Sequence, residues 1–360
     1  MRFWVPTMAA IHRSVLLATL LVVSLAGGAA TPVSAGHDGG DCSLPVTATD
    51  ASGTEVTVDA QPDSIVTLDA ASAQIMWELD AQARVVGMPV RSYTEYLEGS
   101  QNRTDVLSED GRSVDTETVV ELDPDLVLAP NFTPPETVAQ LREANLTVYQ
   151  SGFESSFSDI YAKTELYGHL VGECTAADET VTEMQGDVET VRETVADRDR
   201  PRVLYYFFGT AAGNGTFIGD IIETAGGENV AATAGVEGYQ QISDETIAET
   251  DPEWIITTDD EAAIDTSREP LASTTAVRND QVLRVDANLV SQAGPRVVVP
   301  LLAMAQTLHP EAFAEATATP SPTETDTTTP TPTAAGDGAG LGVGVALAAL
   351  ASTALLARRR

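Results

Sequence analysis

The sequence predicts an α/β protein of two Rossmann-like lobes joined by a single long helix, with a cleft between the lobes. Three observations predict it. A helical stretch runs from Ser156 to Arg200 with two start signals, since Ser156 with Asp159 and Thr175 with Asp178 each set a hydroxyl N-cap three residues before a carboxylate. Glu117-Thr-Val-Val-Glu-Leu-Asp-Pro-Asp-Leu-Val-Leu128 before this stretch is echoed after it by Glu245-Thr-Ile-Ala-Glu-Thr-Asp-Pro-Glu-Trp-Ile-Ile256, at a constant offset and with Glu, Thr, Glu, Asp and Pro identical. Ala73 to Val86 and Ile218 to Val230 form a second pair, each reading as a helix, a small-residue turn and a short strand.

The elements follow in order. Leu44 to Val58 alternates apolar and polar residues about Asp50-Ala-Ser-Gly53, which predicts a hairpin. Ser64 to Leu68 is the first lobe's opening strand, Asp69 to Ser72 leads into a helix carrying Ile75, Met76 and Leu79, and Arg84 to Met88 is the next strand. After it, Arg91 to Tyr96 forms a polar aromatic loop at a strand's carboxyl end, where open α/β sheets bind ligands. Each Glu-to-Pro copy reads as a short helix, an Asp-Pro break and a buried strand, Leu126 to Ala129 and Trp254 to Thr257. Gly172 ends the first central helix. The second carries Ala177, Val181, Met184, Val188, Val191 and Val195 on one face and stops before Pro201. Arg202 to Phe208 is a strand, Gly209 to Gly215 a loop, and a helix then ends at Gly226-Gly227. Gly238-Tyr239-Gln240 and Asn288 to Arg296 are further loops, the latter entering the apolar helix Val297 to Leu308. The expected divisions are a signal peptide at 1–35, an N-terminal lobe at 42–174, a bridging helix at 175–199 and a C-terminal lobe at 200–313. A Thr/Pro-rich stalk at 314–338 and a membrane anchor or sorting segment at 339–360 complete the chain.

Composition narrows the function. Asp and Glu number 54 against 19 Lys and Arg, a net charge of -35, and Lys163 is the only lysine. Acidity spread along the chain suits a surface in high salt, where screening relieves self-repulsion. It leaves no basic stripe for nucleic acid. Arg2 and Arg13, the apolar run Val15 to Ala26 and the small residues ending at Ala35 predict export. Gly-Gly-Asp before Cys42 does not suit a lipoprotein signal. Two cysteines in an exported chain, Cys42 and Cys174, favour a disulfide over a metal site, with two unpaired thiols as the alternative. At the far end, Gly340 to Ala357 is apolar and uncharged and is followed by three arginines, which predicts a tether holding the protein outside the cell. This end resembles the C-terminal anchor of haloarchaeal surface proteins, with Gly338-Ala-Gly-Leu341 where those carry Pro-Gly-Phe, so trimming and simple retention both stay open.

No catalytic residue, resident metal or cofactor is expected. Gly213-Asn-Gly215 lacks the third glycine of a dinucleotide site and the Gly-Lys pair of a phosphate loop. Beyond the signal the histidines are His37, His169 and His309, too few and too scattered for a triad or a zinc site. Asn102, Asn131, Asn145 and Asn214 open glycosylation sequons, with occupancy expected at Asn102 and Asn145.

With Ser64 to Leu68, Val85-Val-Gly87, Glu117 to Ala129, Ala225-Gly-Gly-Glu-Asn-Val230 and Gly294-Pro-Arg-Val297 in place, the chain from about Ser64 to His309 resembles the substrate-binding proteins of ABC importers whose lobes are joined by one long helix. Among these it is most similar to the cobalamin-binding members. The resemblance implies a ligand cleft between the lobes. It also implies that Glu117 and Glu245 dock a permease dimer served by cytoplasmic ATPase subunits. Tyr93 and Tyr239 match aromatic ligand contacts of that family. Near Asn131 and Asn288 its other aromatics are replaced by Pro130 and Leu289, so Asn131 and Asn288 join the expected contacts and the aromatic lining is expected to be thin. The implied cargo is a corrinoid, the alternative a ferric siderophore or haem. A siderophore reader would need several cations in the cleft, and only Arg91, Arg112 and Arg296 are candidates. A stiff bridge implies little closure on binding.

Overall fold

The computed structural model describes residues 42 to 317; the expected signal, most of the stalk and the apolar end segment lie outside the described residues. A hairpin of β1 (Val46–Thr49) and β2 (Glu55–Val58) leads the chain, turning at Gly53 with φ 80°. The N-terminal lobe continues with β3 (Ile65–Thr67), α1 (Ala70–Glu78), β4 (Val85–Met88), β5 (Thr104–Asp105), α2 (Thr116–Glu121), β6 (Leu126–Ala129), α3 (Pro135–Glu143) and β7 (Val148–Gln150). Its five strands form a parallel sheet in the order β5-β4-β3-β6-β7.

Two helices connect the lobes. The first, α4 (Phe157–Val171), starts at Ser156, whose hydroxyl accepts the Asp159 N–H, and ends at Gly172 with φ 74°, as the sequence predicts. The second, α5 (Cys174–Val195), begins one residue earlier than expected and stops short of 199. Thr175 is not its cap. The reversal at Gly172 is so tight that Glu173, whose N–H donates to Gly168 O at 2.8 Å, takes the cap position and makes no side-chain cap hydrogen bond. A β-carbon on Gly168 would stand 2.3 Å from that of Ala177, so only glycine lets α4 and α5 meet here. The predicted stripe from Ala177 to Val195 is buried throughout. Ala177 packs into the N-terminal core, and Met184, Val188 and Val191 into the C-terminal one. One apolar face thus feeds two cores.

Cys42 and Cys174 are bonded, with Cα atoms 5.5 Å apart, which fastens the segment leading into β1 to the start of α5.

The C-terminal lobe runs β8 (Arg202–Phe207), β9 (Thr210–Ala212), α6 (Phe217–Thr224), β10 (Glu228–Asn229), α7 (Val230–Thr233), β11 (Tyr239–Gln241), α8 (Asp244–Thr250), β12 (Trp254–Thr258), α9 (Thr275–Arg278), β13 (Val282–Val285), α10 (Ala287–Val290), α11 (Val298–Leu308) and α12 (Pro310–Thr317). Strands follow the order β11-β9-β8-β12-β13, with β10 also pairing β8. In both copies of the repeat the aspartate before proline takes a left-handed turn, Asp123 at φ 44° and Asp251 at φ 38°, which ends the helix and frees the chain for the strand. Two expected loops are strands instead. Thr210 to Ala212 folds back on β8 and pairs with Tyr239 to Gln241, both antiparallel. These strands are three residues long and partly polar, so they carry no alternation to be read. The helix α12 extends to Thr317 and takes in the first residues expected in the stalk. Among the described residues no single helix is long and apolar enough to cross a membrane.

Candidate functional site

The carboxyl ends of both sheets open onto one cavity of about 590 Å³ between the lobes. From the N-terminal lobe, the turn after β3 brings Asp69, whose Oδ2 accepts the N–H groups of Ala71 and Ser72 and caps α1 while its Oδ1 is buried without a partner. The segment after β4 brings Tyr93. That after β6 brings Asn131 and Phe132, and that after β7 brings Phe153 and Glu154. The buried Gln150 amide donates to the carbonyls of Pro130, Asn131 and Thr133 at 3.4, 3.5 and 3.1 Å. That anchorage holds the 130–133 loop by its backbone and leaves Phe132, 74% exposed, at the cleft. The C-terminal lobe contributes Phe207 at the end of β8 and Phe208 just after it, Phe217 at the start of α6, Thr258 at the end of β12 and Asp260 after it, and Asn288 with Gln292 after β13.

Three of the four expected ligand contacts, Tyr93, Asn131 and Asn288, therefore line the same cavity. Tyr239 does not. It lies on β11, 40% exposed, with its ring centroid 6.4 Å from that of Phe217. Tyr239 backs Phe217, and Phe217 faces the cleft. The thin aromatic lining expected from the sequence is also corrected, because Phe132, Phe153, Phe207, Phe208 and Phe217 supply it. The available signal was position: each lies within a few residues of a strand's carboxyl end, except Phe217, which opens a helix.

The cations of the site are mostly engaged. Arg91 pairs with Asp105 and donates to Val90 O at 2.8 Å. Arg296 meets Glu78 at 2.6 Å and lies over the Tyr96 ring, 5.1 Å from its centroid. Lys163, on α4 and buried, pairs with Glu154 at 2.9 Å in the cavity wall. Arg112 is the exposed cation at the mouth.

Hydrogen bonds also tie the lobes together beside the cavity. Tyr96 Oη donates to Gln292 Oε1 at 2.5 Å, Gln74 Nε2 donates to Tyr96 Oη at 2.8 Å, and Gln292 Nε2 donates to the Tyr93 carbonyl at 2.9 Å. Gln292 both lines the cavity and holds the loop that carries Tyr93. Away from it, Glu117 and Glu245 are exposed in the first turns of α2 and α8, where the helix dipole favours a carboxylate. Among the described residues no group of three or more His, Cys, Asp or Glu side chains is placed to hold a metal ion.

Comparison with known proteins bears on the same region. The family described as "Periplasmic binding protein" matches residues 65–289. A protein of Halobacterium salinarum named "Cobalamin-binding protein" is 40% identical over 312 residues, covering 81% of this chain and 84% of the relative. The uncharacterized ABC transporter substrate-binding lipoprotein YvrC of Bacillus subtilis is 28% identical and covers 76% of this chain and 88% of its own. Among solved structures, the periplasmic heme-binding protein RhuT from Roseiflexus sp. RS-1 in apo form superposes with a TM-score of 0.63 at 23% identity, over 69% of this chain and 99% of that one. Its likeness is one of fold. With two lobes, a connecting helix, a cleft at the strand ends and a relative of this identity over most of its length, the chain belongs to the periplasmic binding protein family.

Proposed function

We propose that this chain captures a corrinoid, cobalamin or a close relative, outside the cytoplasm and hands it to an ABC permease dimer driven by cytoplasmic ATPase subunits. The observation that carries the reading is the cavity's make-up: aromatic rings from both lobes, with Arg91, Arg296 and Lys163 already engaged by Asp105, Glu78 and Glu154 and Arg112 alone exposed among the nearby cations described. Such walls suit a large, flat macrocycle held by its faces. An anionic chelate wants unengaged guanidinium groups instead. The name of the Halobacterium relative supports the same ligand class. Tyr93, Asn131 and Asn288 are the polar contacts in this reading, and the phenylalanines supply the area. Calorimetric titration of the purified protein in molar salt, with cyanocobalamin, cobinamide, haem and ferric siderophores in parallel, tests it. Tight binding of a siderophore or haem with neither corrinoid bound would overturn the choice.

Glu117 and Glu245 are the docking carboxylates, one on each lobe. The segment 1–35 is removed on export, and the C-terminal segment tethers the protein at the cell surface. Glycans sit at Asn102 and Asn145. The threonines of the four sequons support this reading: Thr133 and Thr216 are buried, and the Thr216 hydroxyl donates to Gly213 O at 2.8 Å, whereas Thr104 is exposed and Thr147 half-buried. Peptide mass spectrometry of the exported protein should find added sugar at Asn102 and Asn145 and none at Asn131, where it would block the cleft.

A further inference from the structure

Six described residues other than glycine have positive φ, and five of them are Asp or Asn, the side chains that tolerate this region best. The sixth is Phe208, at φ 47°. It forms with Gly209, at φ 83°, the two-residue turn between Phe207 and Thr210, which pair across the hairpin of β8 and β9. Both central residues at positive φ mark the turn type that selects Asn-Gly or Asp-Gly. Phenylalanine at the first position strains the turn, and the Phe208 N–H bond to Ala263 O at 2.8 Å helps to hold it. Core packing does not account for the choice. Phe208 is 50% exposed, joins none of the apolar cores and meets Phe207 edge-on with ring centroids 4.8 Å apart. Its other neighbour is the cavity.

We infer that Phe208 is a specificity-determining ring, held in a strained turn so that the C-terminal lobe presents an aromatic face to the ligand, as Phe132 on its anchored loop does from the N-terminal lobe. This rests on the cleft being the ligand site. The hairpin tip carries the chain from β8 to the cavity wall, and an Asn there would relax the turn but remove one of the rings that the C-terminal lobe sets in that wall. Stability is given up for contact.

Two variants of the full exported protein separate the parts of this inference. Phe208→Asn fits the turn and removes the ring; its melting temperature should rise by about 2–4 °C without ligand, while cyanocobalamin binding weakens about tenfold. Phe208→Leu keeps the strain and an apolar side chain; its melting temperature should stay at the parent's, with weaker binding. A Phe208→Asn protein that melts no higher than the parent overturns the strain, and affinities within twofold of the parent overturn the ligand role. If the parent binds haem and no corrinoid, the proposed cargo falls by itself, and Phe208→Asn must then weaken haem binding for the ring's role to stand.

Discussion

A β-carbon at position 294 would stand 2.5 Å from Gln74 Oε1, which already receives the backbone N–H of Arg296 at 2.9 Å. Gln74 cannot swing aside freely, because its amide also donates to Tyr96. Gly294→Ala should therefore cost about 1–3 kcal/mol in urea unfolding. It should also weaken ligand binding, since the displaced group shares the network that positions Gln292 and the Tyr93 carbonyl. The sequence displayed this glycine within a recognisable motif but not its reason, which is a contact between residues more than two hundred positions apart. Tyr93, Asn131 and Asn288 were legible because the carboxyl ends of predicted strands locate a cleft. Tyr239 was misplaced because its segment is a strand whose partner, β9, shows no alternation, and the side of a sheet on which a ring falls depends on that partner.

The hairpin β1–β2 illustrates what an element adds. Asp50 at its turn is buried, which alone would raise its pKa, but hydrogen bonds from Ser52, Thr54, Arg142 and Gln150 outweigh burial and hold the carboxyl below its ordinary value of 3.8. An acid depressed in this way stabilises the fold fully above its unfolded pKa, and the contribution fades as pH falls through the folded value. Thermal melts taken from pH 5 downward should thus lose stability below about pH 4, and Asp50→Asn should flatten that loss while lowering the melting temperature at pH 7. Reduction of Cys42–Cys174 should cost a further ~2–4 kcal/mol, seen as a lower urea midpoint with reductant. The turn at Asp50 and the stripe of α5 were both readable, because each rests on local chemistry or a single period. The start of α5 was not, because a close contact at Gly168 decides it.

At the scale of the molecule, repeated halves place one carboxylate on each lobe, Glu117 and Glu245, in the same turn of the same kind of helix. Charge reversal of both should abolish uptake in cells while the purified protein keeps its ligand affinity; a loss of affinity would put these residues in the fold or the cleft instead. Because α5 is shared by both cores and Gln292 ties the lobes beside the cavity, small-angle scattering should show almost no change in dimensions on ligand saturation. The disulfide adds a different property. It joins residues 42 and 174 at a sequence separation of 132, so the whole N-terminal lobe is a covalent ring from which the C-terminal lobe hangs as a tail. A protease that nicks any loop inside the ring releases nothing until the disulfide is reduced, whereas one cut beyond position 174 can part the chain at once. Cleavage patterns on gels run with and without reductant would therefore report which lobe opens first.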